Sequence, residues 1–423
     1  MLLTFRVANY RSIREEHTLS FLSGGLDGEA VRRTGVRFDG REIGVIPTVG
    51  IFGANASGKS NVLSALRAMR HAVLSSMADW VSYSGVPREP FALDPACRDE
   101  TTLFEVDLLL GKNKIRYTYG FELSDERVEA EWLHAYPNGR KQIWFDREAE
   151  REGGEEFRFP GEGLKGVKER LVELTRPNAL FLSVGATFNN PQLGAVHRWF
   201  VDNLWAVTSE DDVSQRVAYT RDMLLDRRKG AGYRKFVESL LRVADLGIVG
   251  LEVDAAAPGE QQVRLLHRAG DGKPVAFDFV TQESLGTHAW FAFLGPVLQV
   301  LDQGRVLLAD ELDSSLHPVL AAEVIRLFQD PKANRTGAQL LFTTHDATLL
   351  GQGTVGRPLS RDQVWITTKR KTGETELYPL IDAHPRKEEN LERGYLRGRY
   401  GGVPRVTSGE LAREVAYLVE SAV

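Results

Sequence analysis

Three stretches of the chain carry residues whose types and spacing could do chemistry on a phosphate. Gly53-Ala54-Asn55-Ala56-Ser57-Gly58-Lys59-Ser60 fits G-x-x-x-x-G-K-[ST]. Glycines at both ends let successive backbone N–H groups converge on a phosphate, and the positive end of the following helix adds to the attraction. In such a cradle Lys59 reaches the β- and γ-phosphates of a nucleotide, and the Ser60 hydroxyl ligates Mg²⁺. The second stretch, "RVLLADE", is an apolar run ending in the adjacent carboxylates Asp310 and Glu311. Carboxylates at the end of a buried strand are costly unless a cation or hydrogen bonds hold them, and a Mg²⁺-nucleotide supplies that cation. The third, "AQLLFTTHDATLL", ends its apolar run in Thr344-His345-Asp346. A lone histidine is usually structural, but the end of a parallel strand is where an α/β sheet gathers its ligand-binding groups.

These groups need strands and a helix to position them, and the pattern supplies both. Thr48 to Phe52 reads as a short strand feeding the cradle, and Val62, Leu63 and Leu66 begin the apolar face of a helix from Ser60 to about Met77. The opening "LLTFRVANYRSIREEHTLSFL" alternates as two short strands around a turn. Residues 103–159 read as antiparallel strands with a turn at Gly111-Lys112-Asn113, and the charged "REAEREGGEE" reads as a solvated hairpin tip. From Gly163 to about Val243 the pattern is mainly helical; "GIVGLEVD" and "QVRLLHR" then read as strands. The expected fold is α/β, a P-loop NTPase with a parallel core sheet, an antiparallel β subdomain and a helical lobe. The expected boundaries are 1–162 for an N-terminal lobe, 163–247 for a helical insert, 248–360 for a C-terminal lobe and 361–423 for closing strands and a tail.

Composition narrows the function classes. With 423 residues, 42% of them hydrophobic and 26% charged, the chain can build a large core and reads as a soluble globular protein. A formal net charge of −5 argues against a wholly basic nucleic-acid coat, although not against a local basic face. The single cysteine, Cys97, excludes an internal disulfide and fits a reducing cytoplasm. The start "MLLTFRVANYRSIREE" meets charge too early for a signal peptide, and no apolar run approaches the roughly 20 residues of a membrane span.

Phosphate loop, apolar strand ending in Asp-Glu, "LDSSLHP" and a strand ending in His, in that order, resemble the ABC-class ATPases, in the soluble branch that holds RecF, SMC and OLD proteins. "GANASGKSN", "NYRS" and the closing "GYLRGRYGGVP" are similar to the RloA-type bacterial ATPases, relatives of the ATPase subunits of PARIS, Septu and retron anti-phage systems. The resemblance runs from about Phe5 to Pro404. It implies that Gly53, Asn55, Ala56, Ser57, Gly58, Lys59, Ser60 and Asn61 hold ATP, with Arg11 of "NYRS" at a phosphate. It further implies that Ser60 and Asp310 hold Mg²⁺, Glu311 orients the attacking water as general base, and His345 senses the γ-phosphate. Asp313 would lie at a dimer seam. "ESLGT" stands at the signature position, so Ser284 and Gly286 would touch ATP held by a second protomer, and hydrolysis would need a pair.

The chain also departs from that pattern. Relatives often complete the Mg²⁺ sphere with a glutamine after the phosphate-loop helix, but no Gln occurs between Ser60 and Gln142; that metal contact is unassigned, with Asp94 one candidate. Sequence for the long coiled-coil arms of SMC proteins is absent, and the stretch after His345 is too short for the Toprim nuclease of OLD proteins. The expected function is therefore an ATP-hydrolysing cytoplasmic ATPase that works as a homodimer, or a higher assembly of dimers, and controls a separate nuclease-type effector in anti-phage defence. DNA or a phage protein would be its trigger, and no membrane is involved. The isolated chain should have no nuclease activity of its own. The helical insert and the tail from Arg386 to Arg405 are the surfaces left for a partner. The competing reading is a DNA-binding RecF-type repair or structural ATPase, with a basic face at "KRKTGE" and "YLRGRYGG"; a transporter subunit fits less well.

Overall fold

The computed structural model describes the chain except for residues 26–29, 39, 151–153, 209–211, 245–246, 255–261, 315, 353–355, 387–388, 405–408 and 422–423. Its centre is a six-stranded sheet in the order Leu204–Val207, Val306–Ala309, Gln339–Thr344, Thr48–Gly53, Val364–Lys369, Thr375–Pro379. The first five strands are parallel, and the sixth folds back as an antiparallel hairpin. The strands that carry the chemistry are buried at every residue, as expected for strands covered on both faces.

Period-2 alternation divides the side chains of this sheet between two cores. Val49, Ile51, Leu308 and Leu341 face one core, while Phe52, Leu307, Leu340 and Phe342 face the other. The first core is closed by the helix Lys59–Ser75, whose Val62, Leu63, Leu66, Met69 and Val73 are buried. Beyond the helix lies a seven-stranded antiparallel sheet in which Leu2–Ala8, His17–Ser20 and the strands from Thr102 to Arg158 pair in one meander. The expected α/β fold with a parallel core and an antiparallel β subdomain is the fold observed. The second core is closed by the helices Leu285–Gln303 and Pro318–Gln329, through residues such as Phe291, Leu294, Ile325 and Phe328.

The stretch read as mainly helical contains a strand that the sequence did not signal. Leu204–Val207 follows the helix Pro191–Asn203 directly and forms an edge of the parallel sheet, with Ala206 opposite Leu308. The strands "GIVGLEVD" and "QVRLLHR" form, with Pro274–Asp278, a small antiparallel sheet separate from the parallel one. The middle of the charged hairpin tip, residues 151–153, lies outside the described residues.

The antiparallel sheet is locked to the helical segment by a buried ionic knot. Glu131 is fully buried and accepts from Phe181 N at 2.6 Å, Leu182 N at 3.0 Å and Tyr119 Oη at 3.0 Å. Its cation is Arg147, also buried, whose Nη1 lies 3.6 Å from Glu131 and donates to Ala179 O at 2.6 Å. Burial pushes the Glu131 carboxyl up, against the pull of Arg147 and the two backbone donors. In chemical denaturation Arg147→Met should cost about 3–5 kcal/mol, because it strands a buried charge, and adding Glu131→Gln should recover part of that loss. If the double variant were no more stable than Arg147→Met alone, lost packing rather than the stranded charge would set the cost.

Candidate functional site

The phosphate loop leaves its strand at Gly53 and enters the helix through Gly58, which stands in the left-handed region at φ 98°. A Cβ at Gly58 would lie 2.0 Å from Thr375 Oγ1, so both the conformation and the space require glycine. Lys59 is buried and donates to Gly53 O at 2.8 Å and Ala54 O at 3.1 Å. Burial lowers its pKa to about 8, against the opposing pull of Glu311, Asp310 and Asp313. Its ammonium also lies 3.3 Å from His345 Nδ1; an ammonium only donates, so Nδ1 accepts and the ring proton sits on Nε2.

The acidic end of Val306–Ala309 meets this loop from the neighbouring strand. Ser60 Oγ donates to Asp310 Oδ1 at 3.0 Å, and Thr343 Oγ1 donates to the same oxygen at 2.6 Å. Glu311 has φ 50°, a left-handed conformation costly for a residue with a Cβ. The conformation is held from outside: Glu311 N donates to Thr343 Oγ1 at 2.7 Å and Leu312 N to Thr343 O at 3.0 Å. Asp313 turns back to accept from His345 N at 3.2 and 3.3 Å. A cleft of about 760 Å³ is lined by Asn55 to Asn61, Glu311, Asp313 and His345, together with Ser12, Ser314 and Lys369. The hydroxyl–carboxylate pair Ser60 and Asp310 is a hard-oxygen donor set that fits Mg²⁺.

A family profile described as "AAA domain, putative AbiEii toxin, Type IV TA system" matches residues 49–351, from the phosphate-loop strand to beyond His345. The chain belongs to this family of AAA-domain ATPases. No curated protein matches it. Among solved structures the chain is similar to an SMC head bound to the C-terminal winged-helix domain of ScpA, at 12% identity over 90% of this chain and 99% of that one, with TM-score 0.46. An SMC head with an extended coiled coil bound to the C-terminal domain of ScpA from Pyrococcus furiosus gives 12% identity, 90% and 97% coverage and TM-score 0.42. An SMC head with coiled coil and joint from Pyrococcus yayanosii gives 10%, 91% and 99%, and 0.41. No helix among the described residues is long and apolar enough to cross a membrane.

Not every residue singled out in this ATPase's sequence reaches the cleft. Arg11 turns away and pairs with Glu89 through Nε at 2.9 Å and Nη2 at 3.1 Å, while its neighbour Ser12 lines the cleft. Asp94 caps the turn Pro95–Arg98 and is held by Arg14 Nη2 at 2.6 Å, so it does not stand in for the missing glutamine. The chain that flanks Asp310 is instead the edge strand, where Asp310 N donates to Val207 O at 2.9 Å; the buried Thr208 follows immediately. Ser284 and Gly286 are exposed and do not line this chain's own cleft; Ser284 Oγ caps the helix Leu285–Gln303 by accepting from Thr287 N at 3.1 Å.

A hydroxyl relay around the loop was missed. Asn61 Nδ2 donates to Ser12 Oγ at 2.6 Å, which lies 2.7 Å from Thr375 Oγ1, and that hydroxyl donates to Ser57 O at 2.9 Å. The closing motif, read as a partner surface, is also drawn into this site. Gly402 has φ 73°, and a Cβ there would lie 2.9 Å from Ile366 and 3.5 Å from Gly53 Cα. Tyr395 donates to Gly402 O at 2.9 Å and packs on Phe52, so the tail braces the base of the phosphate loop.

Proposed function

We propose that the chain is a Mg²⁺-dependent ATP phosphohydrolase that closes head-to-tail around ATP as a homodimer and controls a separate effector, in bacterial anti-phage defence. The observation that carries this reading is the convergence of Lys59, Ser60 and Glu311 on one cleft, with Ser60 bonded to Asp310 at 3.0 Å. The loop N–H groups and Lys59 bind the phosphates, Ser60 and Asp310 hold the metal, and the Glu311 carboxylate orients the water and takes its proton. When bound there, Mg²⁺ would supply charge neutralisation for the phosphates. His345, with its proton on Nε2, can donate to the γ-phosphate once Lys59 swings away from Gly53 O. The regulatory role draws support from the family description, which names a toxin of a type IV toxin–antitoxin system, and from the sequence resemblance to ATPase subunits of defence systems.

Phosphate release and pull-down test the two halves separately. The purified chain should release phosphate from Mg-ATP, and EDTA or Lys59→Ala should abolish release; turnover by Lys59→Ala would overturn the ATPase assignment. The chain alone should leave plasmid DNA and tRNA intact, with cleavage appearing only when a co-purifying protein is present. Metal-dependent cutting by the isolated chain that survives Lys59→Ala would overturn the separate effector.

A further inference from the structure

The basic stretches singled out near the end of the chain are partly neutralised: Arg370 pairs with Glu374 and Glu376, and Arg399 with Glu389. Unpaired cations gather elsewhere, at one edge of the seven-stranded sheet. Two of its turns, residues 111–114 and 137–141, lie side by side there, because the strands that leave and enter them place Arg116 opposite Tyr136. A separate two-stranded ribbon, Arg32–Phe38 with Arg41–Val45, is seated against both turns. Lys114 Nζ donates to Thr34 O at 3.0 Å, and a Cβ at Gly139 would lie 3.2 Å from Arg37 O.

Six exposed cations stand on this junction: Arg33, Arg37 and Arg41 on the ribbon, Lys112 on one turn, and Arg140 and Lys141 at the other. Among the described residues none of the six has an ion-pair partner. Carboxylates of the same region are engaged elsewhere: Asp107 holds Arg116 at 2.6 Å, and Glu42, opposite Arg37 in register, accepts from Gly35 N at 3.0 Å. On a chain of net charge −5 this face is a local reversal of sign, and its cations repel one another unless a polyanion covers them. The scaffold beneath them is fixed. Arg116 sits between the rings of Phe38 and Tyr136, 4.3 and 4.6 Å from their centroids, and so pins the tip of the ribbon to the sheet.

We propose that this face is a sequence-independent interface for duplex DNA. Unpaired arginines and lysines spread over a ribbon and two turns neutralise a phosphate backbone and release its counterions. The ribbon favours B-form DNA over duplex RNA, since a two-stranded ribbon enters a B-form major groove, whereas that of an A-form helix is too narrow. Single strands are held largely by free aromatic faces, and here the two rings at the junction already sandwich Arg116. A protein partner would want an apolar anchor, but Phe38, 36% exposed and stacked on Arg116, is the one large apolar side chain exposed there among the described residues. None of the six cations lines the phosphate cleft, so the proposal does not rest on ATP hydrolysis.

Fluorescence anisotropy of labelled duplex DNA, its single strand, duplex RNA and polyglutamate, each titrated with the full chain, tests the assignment. Duplex DNA should bind tightest, and its affinity should fall steeply as salt rises. Arg37→Glu with Arg41→Glu, and separately Arg140→Glu with Lys141→Glu, should each weaken binding by at least about tenfold and flatten the salt dependence. Arg227→Glu with Arg228→Glu makes the same change of charge at exposed positions in the helical segment and should leave binding within about twofold. Every substituted side chain is exposed, and the two pairs lie on different segments, so one still reports if the other fails to fold. Phosphate release from Mg-ATP, read on the same samples, keeps a failure of this interface distinct from a failure of the ATPase reading. No salt-sensitive binding of duplex DNA, or an equal loss in the Arg227 and Arg228 control, would overturn the interface. Tighter binding of the single strand, duplex RNA or polyglutamate would overturn duplex DNA as its occupant.

Discussion

Glu311→Gln should retain Mg-ATP binding and lose turnover by roughly 10²-fold or more. The change is nearly isosteric, so the residue keeps its place; what it loses is the ability to take a proton from water. That place is set by the backbone: the left-handed turn at φ 50° and the 2.7 Å bond to Thr343 remain whichever side chain is present. Binding should survive because Lys59, Ser60 and Asp310 are untouched. It should tighten slightly, since Glu311 is the largest of the acidic influences on Lys59 and its carboxylate opposes the anionic γ-phosphate. Steady-state phosphate release together with equilibrium nucleotide binding separates the two effects. Parental turnover in Glu311→Gln would remove Glu311 from the role of base.

How much of this site could be read beforehand depends on whether the cause is local. The phosphate loop could be read because each position has its own reason within a few residues: glycine for a left-handed turn, lysine for phosphate, serine for metal. Asp310, Glu311 and His345 stood out because they follow continuous apolar runs, Val306–Ala309 and residues 340–342, which signal burial on both faces. Leu204–Val207 could not, since four residues that continue straight out of a helix carry no turn signal, and their pairing with Val306–Ala309 is a tertiary event. For the same reason no window of sequence shows that Val207 lies beside Asp310; only the strand order brings them together.

Tertiary partners also decide between neighbours. In "NYRS" both Arg11 and Ser12 are polar and follow the same strand, but Glu89 captures the arginine while Thr375 and Asn61 capture the serine. Glu89 is far along the chain, and Thr375 lies farther still, so no window of sequence contains the choice. The closing glycines had a visible requirement for unusual backbone and an invisible reason for it, which is the close approach of Gly402 to Gly53.

Mixing Ser284→Arg chains with Glu311→Gln chains should restore hydrolysis that neither has alone. In a head-to-tail pair each site uses the phosphate loop and Glu311 of one chain and Ser284 and Gly286 of the other. The local geometry favours this division: Ser284 and Gly286 are exposed, outside their own chain's cleft, and flanked by Leu285 at 84% and Val280 at 75% exposure, apolar surface that a pair could cover. Ser284→Arg should therefore bind ATP normally, since its own loop is intact, yet fail to dimerise or hydrolyse; the lost helix cap costs only about 1 kcal/mol, too little to unfold the chain. In a mixed dimer one site combines both defects, while the other combines the sound loop of the Ser284→Arg chain with the sound Ser284 of its partner. A mixed dimer has one working site of two, so an equal mixture should regain phosphate release at no more than about half of parental activity. Phosphate release across a titration of the two variants, read beside light scattering, measures this directly. Mixed dimers that form but release no phosphate would place Ser284 outside the partner's reaction site.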